Sequence, residues 1–185
     1  MVYPIYVYGQ PVLRKVAVDI DKNYPNLSEF IKNIFETMDK SDGVGLAAPQ
    51  VGESIRLFVT EGGSFAEEDE TMRDFRKVYI NAQIIDRSGD DDVFNEGCLS
   101  LPTLREDVVR KSKIRITYYD QDFNFFDEKY DGLKARIIQH EYDHIDGKMF
   151  IDHLSPLRKR IIKRKLNAIS KGEVDIPYKI KVVKQ

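Results

Sequence analysis

The sequence is poor in cysteine, which stabilises small proteins through disulfides, and it lacks the long apolar runs that anchor proteins in membranes. Its 185 residues include one cysteine, three histidines and no tryptophan. One cysteine cannot close an intrachain disulfide, and a thiol kept free fits a reducing compartment. No apolar run approaches the roughly 20 residues that span a bilayer, and the first residues lack a basic stretch leading into an apolar one. We therefore expect a cytoplasmic protein that is neither secreted nor inserted into a membrane.

Charge is nearly balanced overall but unevenly distributed along the chain. The 29 basic and 31 acidic side chains give a formal net charge of −2, and 42% hydrophobic residues suffice for a buried core, so we expect one domain over residues 1–185. Between Glu61 and Asp92, acidic side chains outnumber basic ones ten to four. From Pro156 to Gln185 basic ones outnumber acidic ones ten to two. The basic segment fits either a solvated helix face or an anionic partner.

Hydrophobic periodicity and turn signals predict an α+β fold. Helices are expected over 27–40, behind a capping box that starts at Asn26, over 132–145, and from Pro156 onward with Ser155 as N-cap. The last helix has an apolar stripe formed by Leu157, Ile161, Ile162, Leu166 and Ile169. Strands are expected over 55–60, 78–85 and 114–119, with another strand pair in 123–130 and an edge strand in 176–183. The acidic stretch 62–74 is expected to form an exposed loop with a short helical turn. Irregular alternation of helices and strands favours mostly antiparallel sheets over a doubly wound sheet.

The central predicted helix carries a metal-binding pattern. His140-Glu141-Tyr142-Asp143-His144 matches H-E-x-x-H, in which two histidines four residues apart share one helix face and can hold one ion. At 100° per residue, Leu133 and Ile137 fall in the same arc as both histidines, and Glu141 lies about 60° from His144. Glu141 would therefore flank an ion. The alternative is a core helix with two hydrogen-bonded histidines and a chance match.

Two histidines leave a tetrahedral ion short of a third protein ligand. The longer metalloprotease signature would place a histidine at position 150, but Phe150 stands there and cannot bind metal. Cys98 is the only cysteine, and a thiolate is a strong ligand for zinc or ferrous iron. Taken alone, it also fits a buried small apolar residue.

Three motifs occur along the chain in this order: Gly43-Val44-Gly45-Leu46-Ala47-Ala48-Pro49-Gln50, Glu96-Gly97-Cys98-Leu99-Ser100 and Gln139-His140-Glu141-Tyr142-Asp143-His144. In sequence and in order they resemble the motifs of the peptide deformylases. The similarity covers most of the chain, from the region of Pro4 to the helix start at Ser155. It is weakest in the acidic stretch from about Gly62 to Arg76 and in the tail after Gly172.

The resemblance implies an enzyme that removes the formyl group from N-terminal formylmethionine of newly made proteins and releases formate. Cys98, His140 and His144 would bind the metal, and Glu141 would take a proton from water and return it to the departing amine. The Gln50 side chain and the Leu99 N–H would stabilise the developing oxyanion. The residues implied to contact the peptide are Gly45 and Gly97, through their backbones, and Val44, Leu133 and Ile137, which would line the methionine pocket.

Two rival functions and several roles stay open from the sequence. H-E-x-x-H alone fits a zinc peptidase that cleaves internal bonds, and the basic helix alone fits a noncatalytic RNA- or ribosome-binding module. In the family, that helix docks on the ribosome near the tunnel exit.

Cysteine and imidazole ligands suit zinc, iron(II), nickel(II) or cobalt(II), and the resemblance favours iron(II) as the working metal. Glu96 and Arg105 fit functional or purely structural positions, and His153 has no assigned role.

Overall fold

The computed structural model describes residues 1–183, which form three helices and seven strands. The helices are α1 (Leu27–Lys40), α2 (Gly132–Ile145) and α3 (Pro156–Lys171). The strands are β1 (Ile5–Tyr6), β2 (Gly45–Ala47), β3 (Leu57–Glu61), β4 (Arg76–Gly97), β5 (Arg105–Tyr119), β6 (Phe125–Asp131) and β7 (Ile180–Lys181). The α+β prediction is confirmed.

Strands β2 to β6 form one antiparallel sheet in the order β2-β3-β4-β5-β6. The β4 strand extends to Gly97, well beyond the predicted end at Ile85, and the acidic residues just beyond that end face basic residues of β5. Asp91 lies opposite Lys111 in the register, and their side chains form an ion pair at 2.9 Å. Cross-strand charge pairs thus support a strand without apolar alternation. The predicted strand pair in 123–130 is a single strand, β6, which pairs with β5.

Helix α2 packs against the sheet and is buried on nearly all sides. Ala135, Ile138 and Ile145 join a core cluster with Phe58 and Tyr79 of β3 and β4. The predicted buried face is present, but charged residues on the other faces are buried as well, namely Arg136, Glu141 and Asp143. Two of these residues are compensated by buried ion pairs, Arg136 with Glu96 and Asp143 with Arg110.

The predicted helix bounds are confirmed, but the first cap is wrong. Asn26 has φ 55° and its side chain makes no capping hydrogen bond, so the predicted capping box does not form. In α3, Ser155 Oγ accepts a hydrogen bond from the Arg158 N–H, as expected for an N-cap.

The predicted apolar stripe of α3 is only partly buried. Ile162, Leu166 and Ile169 pack inward, whereas Leu157 and Ile161 are 67% and 58% exposed. The helix therefore lies at the surface and buries one narrow face. None of the helices within residues 1–183 is long and apolar enough to span a bilayer.

The two segments that the sequence left least defined are both structured. The acidic segment, residues 62–76, contains two short 3-10 turns, Gly63–Phe65 and Glu70–Met72, and Met72 is fully buried. In the described part of the tail, up to residue 183, the predicted edge strand is reduced to β7, which pairs in parallel with β1. The tail therefore crosses back to the N-terminal segment.

Candidate active site

The end of β4 and the C-terminal half of α2 bring three potential metal ligands together. Cys98 directly follows Gly97, the last residue of β4, and His140 and His144 lie one turn apart on α2. The Cys98 Sγ is 3.2 Å from the His144 Nε2. One ligand atom from each of the three residues lies within 4.8 Å of the others. These are the three predicted ligands, and this geometry can hold one ion.

Glu96 orients the His140 ring through a hydrogen bond to its Nδ1. Its carboxylate accepts hydrogen bonds from His140 Nδ1 at 2.8 Å, Arg110 Nε at 2.7 Å and Arg136 Nη1 at 2.9 Å. Burial opposes ionisation, but hydrogen bonds from His140 and Arg110 outweigh it and hold the pKa of Glu96 well below its ordinary value. With Nδ1 engaged, His140 presents Nε2 to Cys98 and the ligand cluster. Sequence reasoning left this role open, and Glu96 now has a defined one.

A second buried carboxylate extends this network. Asp143 accepts hydrogen bonds from Arg110 Nη1 at 2.7 Å and from His153 Nε2 at 2.7 Å. Burial would raise the pKa of Asp143, but the hydrogen bond from His153 and the charge of Arg110 lower it to about 2. His153, which had no assigned role, therefore partners a carboxylate in the network around α2.

The electrostatics of the ligand cluster favour the thiolate form of Cys98, which is the form of cysteine that binds metal. Burial opposes ionisation of Cys98, yet the charge of His144 and hydrogen bonds with His140 and His144 lower the pKa of the thiol to about 5. A thiolate with two imidazoles is a donor set of zinc and iron sites. The residues present thus fit a divalent metal ion.

Glu141 lies beside the ligands and is buried. It is 3% exposed, and within the described chain its Oε2 has no hydrogen-bond partner. Burial raises the pKa of this carboxyl to about 7. Gly45 of β2 makes room for it, since a Cβ at Gly45 would lie 2.6 Å from Cδ and 2.7 Å from Cγ of Glu141. An unpaired carboxylate beside an ion site is suited to proton transfer.

Gln50 is held so that its amide NH₂ points toward Cys98. Its Oε1 accepts a hydrogen bond from the Ala47 N–H at 2.8 Å. Its Nε2 lies 3.2 Å from Ser100 Oγ and 3.5 Å from Cys98 Sγ. Because the oxygen is engaged by the backbone, the donor end is the one available near the ligands.

A cavity of about 450 Å³ opens onto the cluster. Nearly all of the predicted site residues line it, namely Val44, Gly45, Gln50, Gly97, Cys98, Leu99, Leu133, Ile137, His140 and Glu141. His144 does not line it and lies 1% exposed behind Cys98. Arg105 also lines the cavity, and its side chain is bonded to Asn95. The wall is thus largely apolar with a few polar groups converging near the ligands.

Sequence reasoning missed three aromatic residues of this cavity, of which Phe94 lies on β4. Phe65 comes from the acidic segment and Tyr178 from the tail, the two regions where family similarity was weakest. Neither lies in a motif, so only the folded chain brings them to the site. Phe150, excluded as a ligand, stacks on the His140 ring at 6.0 Å between centroids.

The fold and the site together define an α+β protein with a candidate three-ligand metal site beside a buried carboxylate. The sequence profile described as Polypeptide deformylase matches residues 2–160. The chain is 50% identical to the peptide deformylase of Christiangramia forsetii, over 98% of this chain and 96% of that protein. It therefore belongs to the peptide deformylase family, a family of enzymes.

Solved structures agree with this assignment. The peptide deformylase of Legionella pneumophila superposes with a TM-score of 0.81 at 34% identity, over 96% of this chain and 100% of that one. The peptide deformylase of Thermus thermophilus gives a TM-score of 0.81 at 37% identity, over 93% of this chain and 99% of that one.

Proposed function

We propose that this protein is a metal-dependent hydrolase that removes the formyl group from the N-terminal formylmethionine of nascent proteins, in the cytoplasm. The observation that carries the proposal is the cluster of Cys98, His140 and His144 beside a cavity that is also lined by Glu141, whose Oε2 has no hydrogen-bond partner in the described chain. Family membership supplies the substrate class.

Cys98, His140 and His144 would hold one divalent ion. When bound, the ion supplies Lewis-acid chemistry, polarising the formyl carbonyl and lowering the pKa of water. The donor set accommodates iron(II), zinc(II) or nickel(II), and we propose iron(II) as the metal used in the cell.

Glu141 is the proposed proton carrier. It takes a proton from the attacking water and later gives it to the amine nitrogen of methionine as the C–N bond breaks. A carboxyl with a pKa near neutrality suits both directions of transfer, and burial of Glu141 raises its pKa to about 7. The products are formate and a peptide with a free N-terminal methionine.

Gln50 and Leu99 are proposed to stabilise the negative charge that develops on the formyl oxygen. The Gln50 Nε2 is directed toward Cys98 because Ala47 holds the other end of the amide. The Leu99 N–H follows Cys98 directly in the chain. Fixed donors of this kind contribute more in the transition state than in the ground state.

The apolar wall provides the proposed methionine pocket. Val44, Leu133 and Ile137 line the cavity next to Glu141, and an unbranched thioether side chain fits an apolar pocket. Gly45 and Gly97 are proposed to bond the substrate backbone, since both line the cavity without a side chain of their own.

The proposal is tested by formate release from a formyl-Met peptide. Protein purified without oxygen and loaded with iron(II) is expected to release formate, and Glu141→Gln is expected to lower kcat by about 10³-fold while retaining metal. Glu106→Gln, at a buried carboxylate paired with Arg158, is the control and should keep its activity. Undiminished turnover in Glu141→Gln would overturn the mechanism, and no formate from wild type would overturn the function.

The peptidase alternative requires a different third ligand. It predicts that Cys98→Ser keeps metal and activity, whereas the proposed function predicts loss of both.

Docking on the ribosome through α3 remains a separate proposal, supported by its exposed Arg and Lys side chains. It predicts salt-dependent cosedimentation with ribosomes that weakens when Arg164 and Lys165 are changed to glutamate.

A further inference from the structure

The turn that follows β4 is held by hydrogen bonds to three successive carbonyl groups. The Cys98 carbonyl accepts from the Leu101 N–H at 2.9 Å, and the Ser100 carbonyl accepts from the Tyr8 N–H at 2.9 Å. Between them, the Leu99 carbonyl accepts from the Tyr178 hydroxyl at 2.9 Å. Tyr178 is the side-chain member of this set, and it comes from the tail.

The tail holds Tyr178 in place through its pairing with the N-terminal segment. The Ile5 N–H donates to the carbonyl of Lys179, the residue after Tyr178, at 2.8 Å, and the Val7 N–H donates to Lys181 at 3.2 Å. Tyr8, which holds Ser100, belongs to the same N-terminal segment. One short stretch of backbone therefore anchors both Tyr178 and the turn it contacts.

The Tyr178 hydroxyl keeps the proton that it donates in this hydrogen bond. Burial raises the pKa of Tyr178, and the nearby Cys98 raises it further, so the hydroxyl stays protonated at neutral pH. Its ring is half-buried against the cavity.

We propose that Tyr178 is a positioning residue for deformylation, which fixes the Leu99 carbonyl and thereby aims the Leu99 N–H into the cavity. This inference rests on the proposed function, in which that N–H meets the developing oxyanion. The Leu101 bond fixes the peptide before Leu99 and the Tyr178 bond fixes the peptide after it, so both neighbouring torsions of Leu99 are restrained. The tail would then contribute to catalysis although it lies outside the three motifs.

Tyr178→Phe tests the role because it removes only the hydroxyl. We expect kcat for a formyl-Met peptide to fall about three- to tenfold, the effect of one neutral hydrogen bond, with KM unchanged within about twofold. Tyr3→Phe is the matched control, since the Tyr3 hydroxyl bonds Asn33 at 3.3 Å and Tyr3 does not line the cavity. It should leave kcat unchanged.

A second measurement reports the turn directly. In the zinc-loaded protein, the amide ¹⁵N resonance of Ser100, whose nitrogen is bonded to the Leu99 carbonyl carbon, should shift in Tyr178→Phe and stay in place in Tyr3→Phe. An unshifted Ser100 resonance, or an unchanged kcat, would overturn the positioning role. A rise in KM alone would overturn it too, because it would show that Tyr178 binds substrate. Wild-type protein without deformylase activity would overturn the proposed function as well, so the two failures are distinguishable.

Discussion

Glu96 is only 4% exposed. Replacing it with glutamine keeps the shape of the side chain but removes one of its two hydrogen-bond-accepting oxygens. In the wild type, Oε1 accepts from Arg110 Nε and Arg136 Nη1, and Oε2 accepts from Arg110 Nη2 and His140 Nδ1. A glutamine has one oxygen, so its NH₂ must face one of these two pairs of donors. Arginine cannot become an acceptor, whereas a histidine ring nitrogen can. The NH₂ is therefore expected to face His140.

This orientation works against metal binding. If His140 Nδ1 accepts from the glutamine, the ring proton moves to Nε2, the nitrogen that is directed to Cys98 and would bind the ion. Binding then requires the tautomer to revert and leaves a buried donor unpaired, which costs about 1–3 kcal/mol. That corresponds to a loss of about 10- to 100-fold in metal affinity, the range found for partners of metal-binding histidines.

The assay is zinc competition against a chelator of known affinity, together with urea unfolding. Glu106→Gln is the control, because Glu106 is also buried and bonds Arg158 through Nε and Nη2 at 2.5 and 2.9 Å. Both variants should unfold more easily, but only Glu96→Gln should bind zinc more weakly. Equal zinc affinity in wild type and Glu96→Gln would refute the reasoning.

Two further predictions concern the carboxylates beside the ligands. Gly45→Ala would place a Cβ 2.6 Å from Glu141 Cδ, so the carboxylate must move by about 1 Å, and formate release should fall about 10²-fold with metal content unchanged. Asp143 has its pKa lowered from 3.8 to about 2, with burial opposed by His153 and Arg110. Its contribution to the free energy of unfolding is therefore complete above pH 4 and is lost as the pH falls toward 2, about 2 kcal/mol in all. Asp143→Asn should show a shallower loss of stability over that range in urea unfolding.

Each of these has an outcome that would contradict it. Gly132→Ala serves as control for the glycine change, because nothing lies within 4 Å of its Cβ position although φ is +53°. It should lose stability but keep its activity, and a Gly45→Ala protein as active as this control would show that Glu141 tolerates displacement. Parallel stability curves for wild type and Asp143→Asn between pH 2 and 4 would show that the Asp143 carboxylate adds nothing.

The helices were predictable from the sequence and the long hairpin was not. Apolar spacing and turn residues set the bounds of α1 and α2, and both agree with the structure. The outer half of β4 carries charge where a strand pattern would carry apolar residues, and its order depends on partners in β5 such as Lys111 for Asp91. Single-sequence periodicity contains no information about such pairing between distant residues.

The candidate site was likewise predictable from the sequence only in part. Cys98, Glu141 and the two histidines lie in recognisable motifs, and the structure brings them together. Arg110 and Arg136 were not predicted, because arginine is ordinarily exposed and its burial follows only once Glu96 is placed beside it. The position of Tyr178 depends on the pairing of the tail with β1, and the sequence predicts a strand in the tail but not its partner.

Because the three ligands come from separate elements of the fold, a bound ion would also stabilise the folded protein. One ligand directly follows a strand of the sheet and two lie on α2, so an ion bound there would cross-link sheet and helix. The unfolded chain cannot offer the same three atoms together, and a ligand that binds only the native state stabilises it by mass action, by about 2.7 kcal/mol at a hundredfold excess over Kd. The abundance of folded protein in a cell would then follow the supply of metal.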